Sequence, residues 1–318
     1  MTRFRLLAAL FTTLLVLAGC GESSDDRSDS STSDETGAHT VDTTFGPVHT
    51  DAAPERVVVL LPAYADTVTA LDADDTIVGI ANFLPKGARA TGPWQKTPFA
   101  PSVVELGDQF DPINPESIAA LQPDLILAGA LQAKDQATYD TLSAIAPTYV
   151  SQGKTHDADD WQATTRAIGA LMWRDQKADA VIADVEKKLA DTRAAHPEIE
   201  GKSFLQVSFY QGSYLVASSA RSQESFMEAI GLTMADVATQ NNSLSVEQTA
   251  KLDAADLLIV QAERKKSLEE QPNWSSVRAV RDGSVTAFSL VEAKAFRSPS
   301  AASIPYLLDA LTPQLASL

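Results

Sequence analysis

Glu116-Ser117-Ile118-Ala119-Ala120-Leu121-Gln122-Pro123-Asp124-Leu125-Ile126-Leu127 has a counterpart in the second half of the chain. That counterpart is Glu247-Gln248-Thr249-Ala250-Lys251-Leu252-Asp253-Ala254-Ala255-Asp256-Leu257-Leu258-Ile259, with one extra residue before its aspartate. Each copy reads as a short helix opened by glutamate and followed by an Asp-led apolar strand. The repeat predicts two lobes that share one plan and are related by a pseudo-two-fold. Glu116 and Glu247 fall in the first turns of their helices, where a carboxylate complements the helix dipole by about 0.3–1 kcal/mol. Two such groups in matching places would also present equivalent charges to a two-fold symmetric partner, and both readings stand here.

Short apolar runs alternate with helical patterns on either side of the repeat. Arg56 to Leu61 is a β-branched run stopped by Pro62 and reads as a buried strand. Ala63 to Leu71 is then a helix, Thr76 to Ile80 a strand, Pro115 to Leu121 a helix with Pro in its tolerated first turn, Asp124 to Ala128 a strand, and Lys134 to Ile145 a helix. The second half repeats the theme. Phe204 to Phe209, Tyr214 to Ala217, Asp256 to Val260 and Val285 to Phe288 read as strands. Ser222 to Ile230, capped by Gly231, and Ala301 to Leu311 read as helices. This alternation predicts α/β lobes with mostly parallel sheets.

Asp175 to His196 contains no Gly or Pro. Ala178, Val181, Ile182, Val185 and Leu189 share one helical face, and Asp184 and Lys188 form an i,i+4 pair. Such a helix is about 33 Å long. It reads either as a single long rigid helix joining the two lobes or as a surface helix within one of them.

The amino end carries Arg3 and Arg5, an apolar stretch from Leu6 to Leu17 broken by Thr12 and Thr13, and then Leu17-Ala18-Gly19-Cys20. The last four residues resemble a bacterial lipobox, and the apolar stretch suits a signal peptide better than a membrane span. The expected organisation is a signal peptide at 1–19, a lipidated Cys20 with a solvated tether at 20–40, a first lobe at 41–173, a linker helix at 174–197 and a second lobe at 198–318. The tether is nearly all Ser, Thr, Asp, Glu and Gly and reaches roughly 25 Å r.m.s.. Cys20 is the only cysteine among 318 residues, so no internal disulfide stabilises the exported body. A composition of 44% apolar and 21% charged residues fits a globular body. A net charge of −17 argues against nucleic acid or an anionic membrane surface as partner.

Pro54-Glu55-Arg56-Val57-Val58, the Asn114-Pro115-Glu116 to Ile126 segment, and Ile145-Ala146-Pro147-Thr148 are similar to the ferric-siderophore and cobalamin-binding proteins of ABC importers. So are Ser245-x-Glu247, Pro272-x-Trp274, Val277-x-Ala279-Val280 and Gly283-x-Val285, in the same order and spacing. The likeness covers nearly everything after the tether. It implies two α/β lobes, of the class III periplasmic-binding-protein kind, joined by a long helix with the ligand cleft between them. It also implies that Glu116 and Glu247 dock onto arginines of a dimeric permease served by an ATPase. A ferric siderophore is the implied ligand and its iron the only metal carried, with no resident cofactor. The implied location is the extracytoplasmic face of the cell membrane, reached through the lipid on Cys20.

Ligands of open α/β lobes gather beyond the carboxyl ends of strands. The loops expected there offer Tyr64, Arg89, Trp94 and Phe110 in the first lobe, and Tyr210, Arg221, Asn241 and Arg297 in the second. Arginine forks and aromatic faces suit a bulky chelate presenting oxygens. A haem carrier with Tyr64, Tyr210 or His156 as axial ligand and a cobalamin carrier are the nearest rivals. A zinc or manganese carrier is disfavoured by having only four His. No Gly-x-Ser-x-Gly, His-Glu-x-x-His, Gly-x-Gly-x-x-Gly or phosphate loop supports an anchored enzyme. A receptor that signals without transport is the remaining alternative.

Overall fold

The computed structural model describes residues 39–82, 92–95, 99–108, 112, 114–152, 160–217, 221–239, 241–316 and 318. The described chain opens with an antiparallel hairpin, β1 (His39–Thr43) and β2 (Gly46–Thr50). Here the expected tether is corrected, because His39 and Thr40 belong to a strand. His39 stacks on Trp173 with ring centroids 4.1 Å apart, and its Nδ1 lies 3.3 Å from Asp175. Trp173 Nε1 donates to Thr50 Oγ1 at 3.1 Å. These contacts hold the hairpin against the segment that precedes the long helix.

The first lobe runs through β3 (Val57–Val59), α1 (Pro62–Ala70), β4 (Ile77–Asn82), β5 (Val104–Asp108), α2 (Pro115–Ala119), β6 (Leu125–Ala128), α3 (Gln136–Ser143), β7 (Thr148–Val150) and α4 (Trp161–Leu171). Its sheet is wholly parallel in the order β5-β4-β3-β6-β7. Every residue of β3 and β6 is buried, which explains why they are continuous apolar runs rather than alternating ones. The chain builds outward from β3 to β5 and then restarts on the other side at β6. The carboxyl ends of β3 and β6 therefore flank a topological switch point.

The linker, α5 (Asp175–Ala195), follows. Ala178 packs in the first lobe's core, whereas Ile182, Val185 and Leu189 pack in the second lobe's core. One helix of about 32 Å thus serves both cores. Its close approach to α4 depends on Gly169, where an added Cβ would lie 2.5 Å from the Cβ of Ala178. Gly169→Ala is therefore expected to destabilise the protein by about 1–3 kcal/mol through overpacking, despite alanine's better helix propensity. Denaturant unfolding of the variant checks this.

The second lobe comprises β8 (Ser203–Tyr210), β9 (Ser213–Ala217), α6 (Arg221–Ala229), β10 (Thr233–Met234), β11 (Ser243–Ser245), a 3-10 segment Val246–Ala254, β12 (Leu257–Gln261), α7 (Ala262–Glu269), α8 (Arg278–Arg281), β13 (Val285–Phe288), α9 (Leu290–Arg297) and α10 (Ser303–Leu315). Its sheet is mixed. Strands β8, β12 and β13 run parallel, but β9 pairs antiparallel with both β8 and β11. Gln211 and Gly212, with φ of +48° and +81°, make the two-residue turn that reverses the chain between β8 and β9. Sequence alternation conveys the strands but not this reversal.

The repeat is realised atom by atom. Asp124 accepts from the N–H groups of Glu55 (2.8 Å) and Arg56 (2.9 Å) beside β3. Asp256 accepts from the N–H of Ser203 at 2.9 Å at the start of β8. Each aspartate's own N–H returns to the neighbouring strand, to Arg56 O at 3.0 Å and Ser203 O at 2.9 Å. An arginine closes each turn. Arg56 donates to Leu121 O and Gln122 O, and Arg278 donates to Asp253 O and Ala255 O.

Candidate functional site

A cleft of about 560 Å³ opens where the carboxyl end of β3 meets α9 of the second lobe. On one side the chain turns from β3 into α1 at Leu61, Pro62 and Ala63, with no side-chain cap and Pro in the first helical turn. On the other, Val291, Lys294, Ala295 and Ser298 recur at helical spacing along α9 and its end. Ile80, Phe99 and Trp94 supply further apolar wall. The surface is an apolar slot with a few polar groups, the usual character of a small-ligand site.

Asp66 is the acid of this wall, 7% exposed, in the middle of α1. Gln95 Nε2 donates to its Oδ1 at 3.0 Å. Ser300 Oγ, from the connection between α9 and α10, donates to its Oδ2 at 3.3 Å and so ties the two lobes together inside the protein. Burial pushes the Asp66 carboxyl up to about 7, against the pull of the neighbouring Trp94, Ser300 and Gln95 donors. The Trp94 ring lies 5.9 Å from that of Tyr306 on α10, a second contact between lobes. The indole N–H of Trp94 is turned to the Asp66 carboxyl, whereas Oε1 of Gln95 is buried with no hydrogen-bond partner. A native protein rarely leaves a buried amide oxygen unpaired, and a ligand offering a donor would satisfy it.

The expected ligand residues distribute unevenly. Trp94 lines the cleft. Tyr64 does not lie on this wall. It is 1% exposed in the first lobe's core, its ring 5.8 Å from that of Tyr149, and it borders a second recess of about 310 Å³ that shares Leu61, Ala63 and Ser298 with the cleft. Tyr210 stands at the end of β8, 48% exposed, with the Arg264 guanidinium 5.5 Å from its ring centroid. Arg221 opens α6 and is exposed, and Asn241 is exposed with φ +50°. Arg297 is the last residue of α9. The segment expected to be a loop at Ala295 to Arg297 is thus helical, because Ser289 and Glu292 form a capping box that starts α9. Arg89, Phe110, His156 and Cys20 lie outside the described residues. Among the described residues no group of three or more His, Cys, Asp or Glu side chains converges as a metal site.

Asp66, Gln95, Lys294, Ser300 and Arg264 escape the sequence reading. Only Asp66 left a trace there, as a lone acid between Ala65 and Val68 in an otherwise apolar and threonine-bearing helix. The expected docking glutamates occupy matching places. Each sits two residues after a helix N-cap, Asn114 or Ser245, and each is exposed. The Ser245 hydroxyl beside Glu247 holds its carboxyl below the usual glutamate range.

Residues 57–288 match the family described as Periplasmic binding protein. The Fe(3+)-citrate-binding protein YfmC of Bacillus subtilis is 26% identical over 286 residues, 88% of this chain and 87% of that protein. The petrobactin-binding protein YclQ of the same organism is 24% identical over 300 residues, 90% of each chain. The crystal structure of a periplasmic solute binding protein from Mycobacterium smegmatis superposes with a TM-score of 0.77 at 26% identity, covering 88% of this chain and 98% of that one.

Proposed function

The chain belongs to the periplasmic binding protein family, and from that premise we propose that it captures an iron(III)-siderophore and delivers it to the permease of an ABC importer. The observation that carries this reading is the slot between the lobes. It sits at a topological switch point, joins α1 to α9, and is lined by Gln95, whose buried Oε1 is unpaired, within a mostly apolar wall. Relatives that span nearly the whole chain bind ferric citrate and petrobactin, which supports an iron chelate as cargo. Cys20 carries the lipid, the tether holds the body above the membrane, and the protein works on the extracytoplasmic face. Glu116 and Glu247 engage the two halves of the permease. The family's role is binding rather than chemistry, and no catalytic step is assigned.

Tryptophan fluorescence of the purified protein, titrated with ferric hydroxamate, catecholate and citrate chelates, haemin and cobalamin, tests the reading. A saturable response to a ferric chelate is expected. A response to haemin or cobalamin alone, or to none of the panel, would overturn it. Trp94→Ala is expected to weaken chelate binding by about 2 kcal/mol, some thirtyfold, as for loss of a central aromatic anchor. Titration calorimetry of the variant checks this, and unchanged affinity would remove Trp94 from the site.

A further inference from the structure

Resting on the siderophore reading, we infer that Gly92 and Tyr306 are positioning residues for Trp94. Together with Asp66 they seat its indole across the two lobes, and so set the width of the slot that receives the chelate. The first support is steric. The Gly92 carbonyl accepts from the N–H of Gln95 at 3.0 Å, which closes a turn with Pro93 in its second place and Trp94 in its third. The Trp94 ring folds back over Gly92, which is buried. A Cβ added at Gly92 would fall inside the van der Waals envelope of Cε2, Cζ2 and Cδ2 of that ring. These atoms belong to a rigid bicycle rather than to the end of a flexible chain. Any larger residue at 92 therefore pushes the indole from its place.

The second support is that both lobes share the seat. From α1 of the first lobe, Asp66 takes the indole N–H and, at 3.0 Å, the Gln95 amide. Two successive residues of the turn are thus pinned to one buried carboxyl. From α10 of the second lobe, the Tyr306 ring stands 5.9 Å from the indole at 59° to it, within the range of favourable tilted aromatic pairs. Tyr306 is itself held, because its hydroxyl donates to Glu292 Oε1 at 2.7 Å and Glu292 belongs to the capping box of α9. Helix α9 carries Val291, Lys294 and Ala295 of the facing wall. One ring contact and one hydrogen bond therefore connect Trp94 to the wall opposite it, and Ser300 donating to Asp66 makes a parallel tie. A wall set in advance spares the ligand the cost of ordering it. Parting the lobes draws Tyr306 away from the indole, so the same contact loosens the chelate site when the lobes separate.

Fluorine NMR of the full chain labelled with 5-fluorotryptophan, joined to a double-mutant cycle read by calorimetry, tests the inference. Four tryptophans give four resonances, and Trp94→Ala identifies the one that belongs to Trp94. Without ligand, Gly92→Ala and Tyr306→Ala are expected to shift or broaden that resonance and to leave those of Trp161, Trp173 and Trp274 in place. With ferric citrate and ferrichrome as probes, each variant is expected to bind about tenfold more weakly, and neither to weaken binding further once residue 94 is alanine. Tyr306→Phe keeps the ring and is expected to bind close to the wild-type level. A Trp94 resonance unmoved by both variants would overturn the inference, as would unchanged affinity in both. Affinity losses that persist undiminished in the Trp94→Ala chain would also overturn it, because they mark a general structural effect. Should Gly92→Ala not fold, Tyr306→Ala decides alone. Failure of the wild-type protein to bind any ferric chelate would overturn the siderophore reading itself, and the resonance alone would then decide the seat of Trp94.

Discussion

A chain carrying both Glu116→Ala and Glu247→Ala is expected to bind its chelate with unchanged affinity yet support at least tenfold less iron uptake. The expectation follows from placement. Both carboxylates are exposed, both stand two residues past an N-cap, and neither borders the slot. Arg56 and Arg278 bind the backbone carbonyls at the far end of each turn, so the two helices are presented by the same device in both lobes. Exposed charges at a docking rim raise association rates by about 10- to 1,000-fold and fix register, and contribute little to the stability of the free protein. Each single variant should show an intermediate defect. Charge reversal to Lys should be worse than Ala, since cations would then face cations. Labelled-iron uptake in a deletion strain complemented with each variant measures the effect, beside a fluorescence affinity. Wild-type uptake by the double variant would reduce the glutamates to helix-dipole partners.

The second large effect concerns Asp66 and pH. Its carboxyl titrates near 7 in the folded protein against 3.8 for the ordinary group, with burial as the main cause. Between those values the native state keeps a proton that the unfolded state has released. Raising the pH therefore favours unfolding, and the loss is complete once the folded group has ionised. From pH 5 to pH 8 the wild-type protein should lose about 3 kcal/mol relative to Asp66→Asn, whose amide does not titrate. At pH 5 the two should be of similar stability, and at pH 8 the variant should be the more stable. Urea unfolding of both proteins at the two pH values measures the difference. Parallel behaviour of the two proteins would mean that Asp66 ionises freely in the fold.

Much of the architecture is legible in the residues because it is written locally. Val57 to Val59 and Leu125 to Ala128 are buried on both faces and have no polar alternation to confuse the reading. Ala178, Ile182, Val185 and Leu189 lie on one stripe, and all four are buried. The matched aspartates show in sequence because each must satisfy the N–H groups of the adjacent strand at a fixed point of its turn. What stays hidden is non-local. Ser300 reaches Asp66 across 234 positions, and Gln95 reaches it across 29. Asp66, two residues beyond Tyr64 on α1, lines the slot itself, while Tyr64 is buried and lines the adjoining recess, a division that the shared helix does not reveal. Tyr210 is visible as an aromatic at a strand end, but its partner Arg264 comes from α7, which follows the neighbouring strand β12. Reversal of β9 likewise rests on two backbone dihedrals that no hydrophobic pattern encodes.

The most direct test of the central claim is the position of iron. Crystals grown with a ferric siderophore should give a single strong anomalous peak at the iron edge, lying between α1 and α9 with Trp94 beside the chelate. An anomalous peak outside the slot, or a chelate bound without contact to Trp94 or α9, would contradict the account.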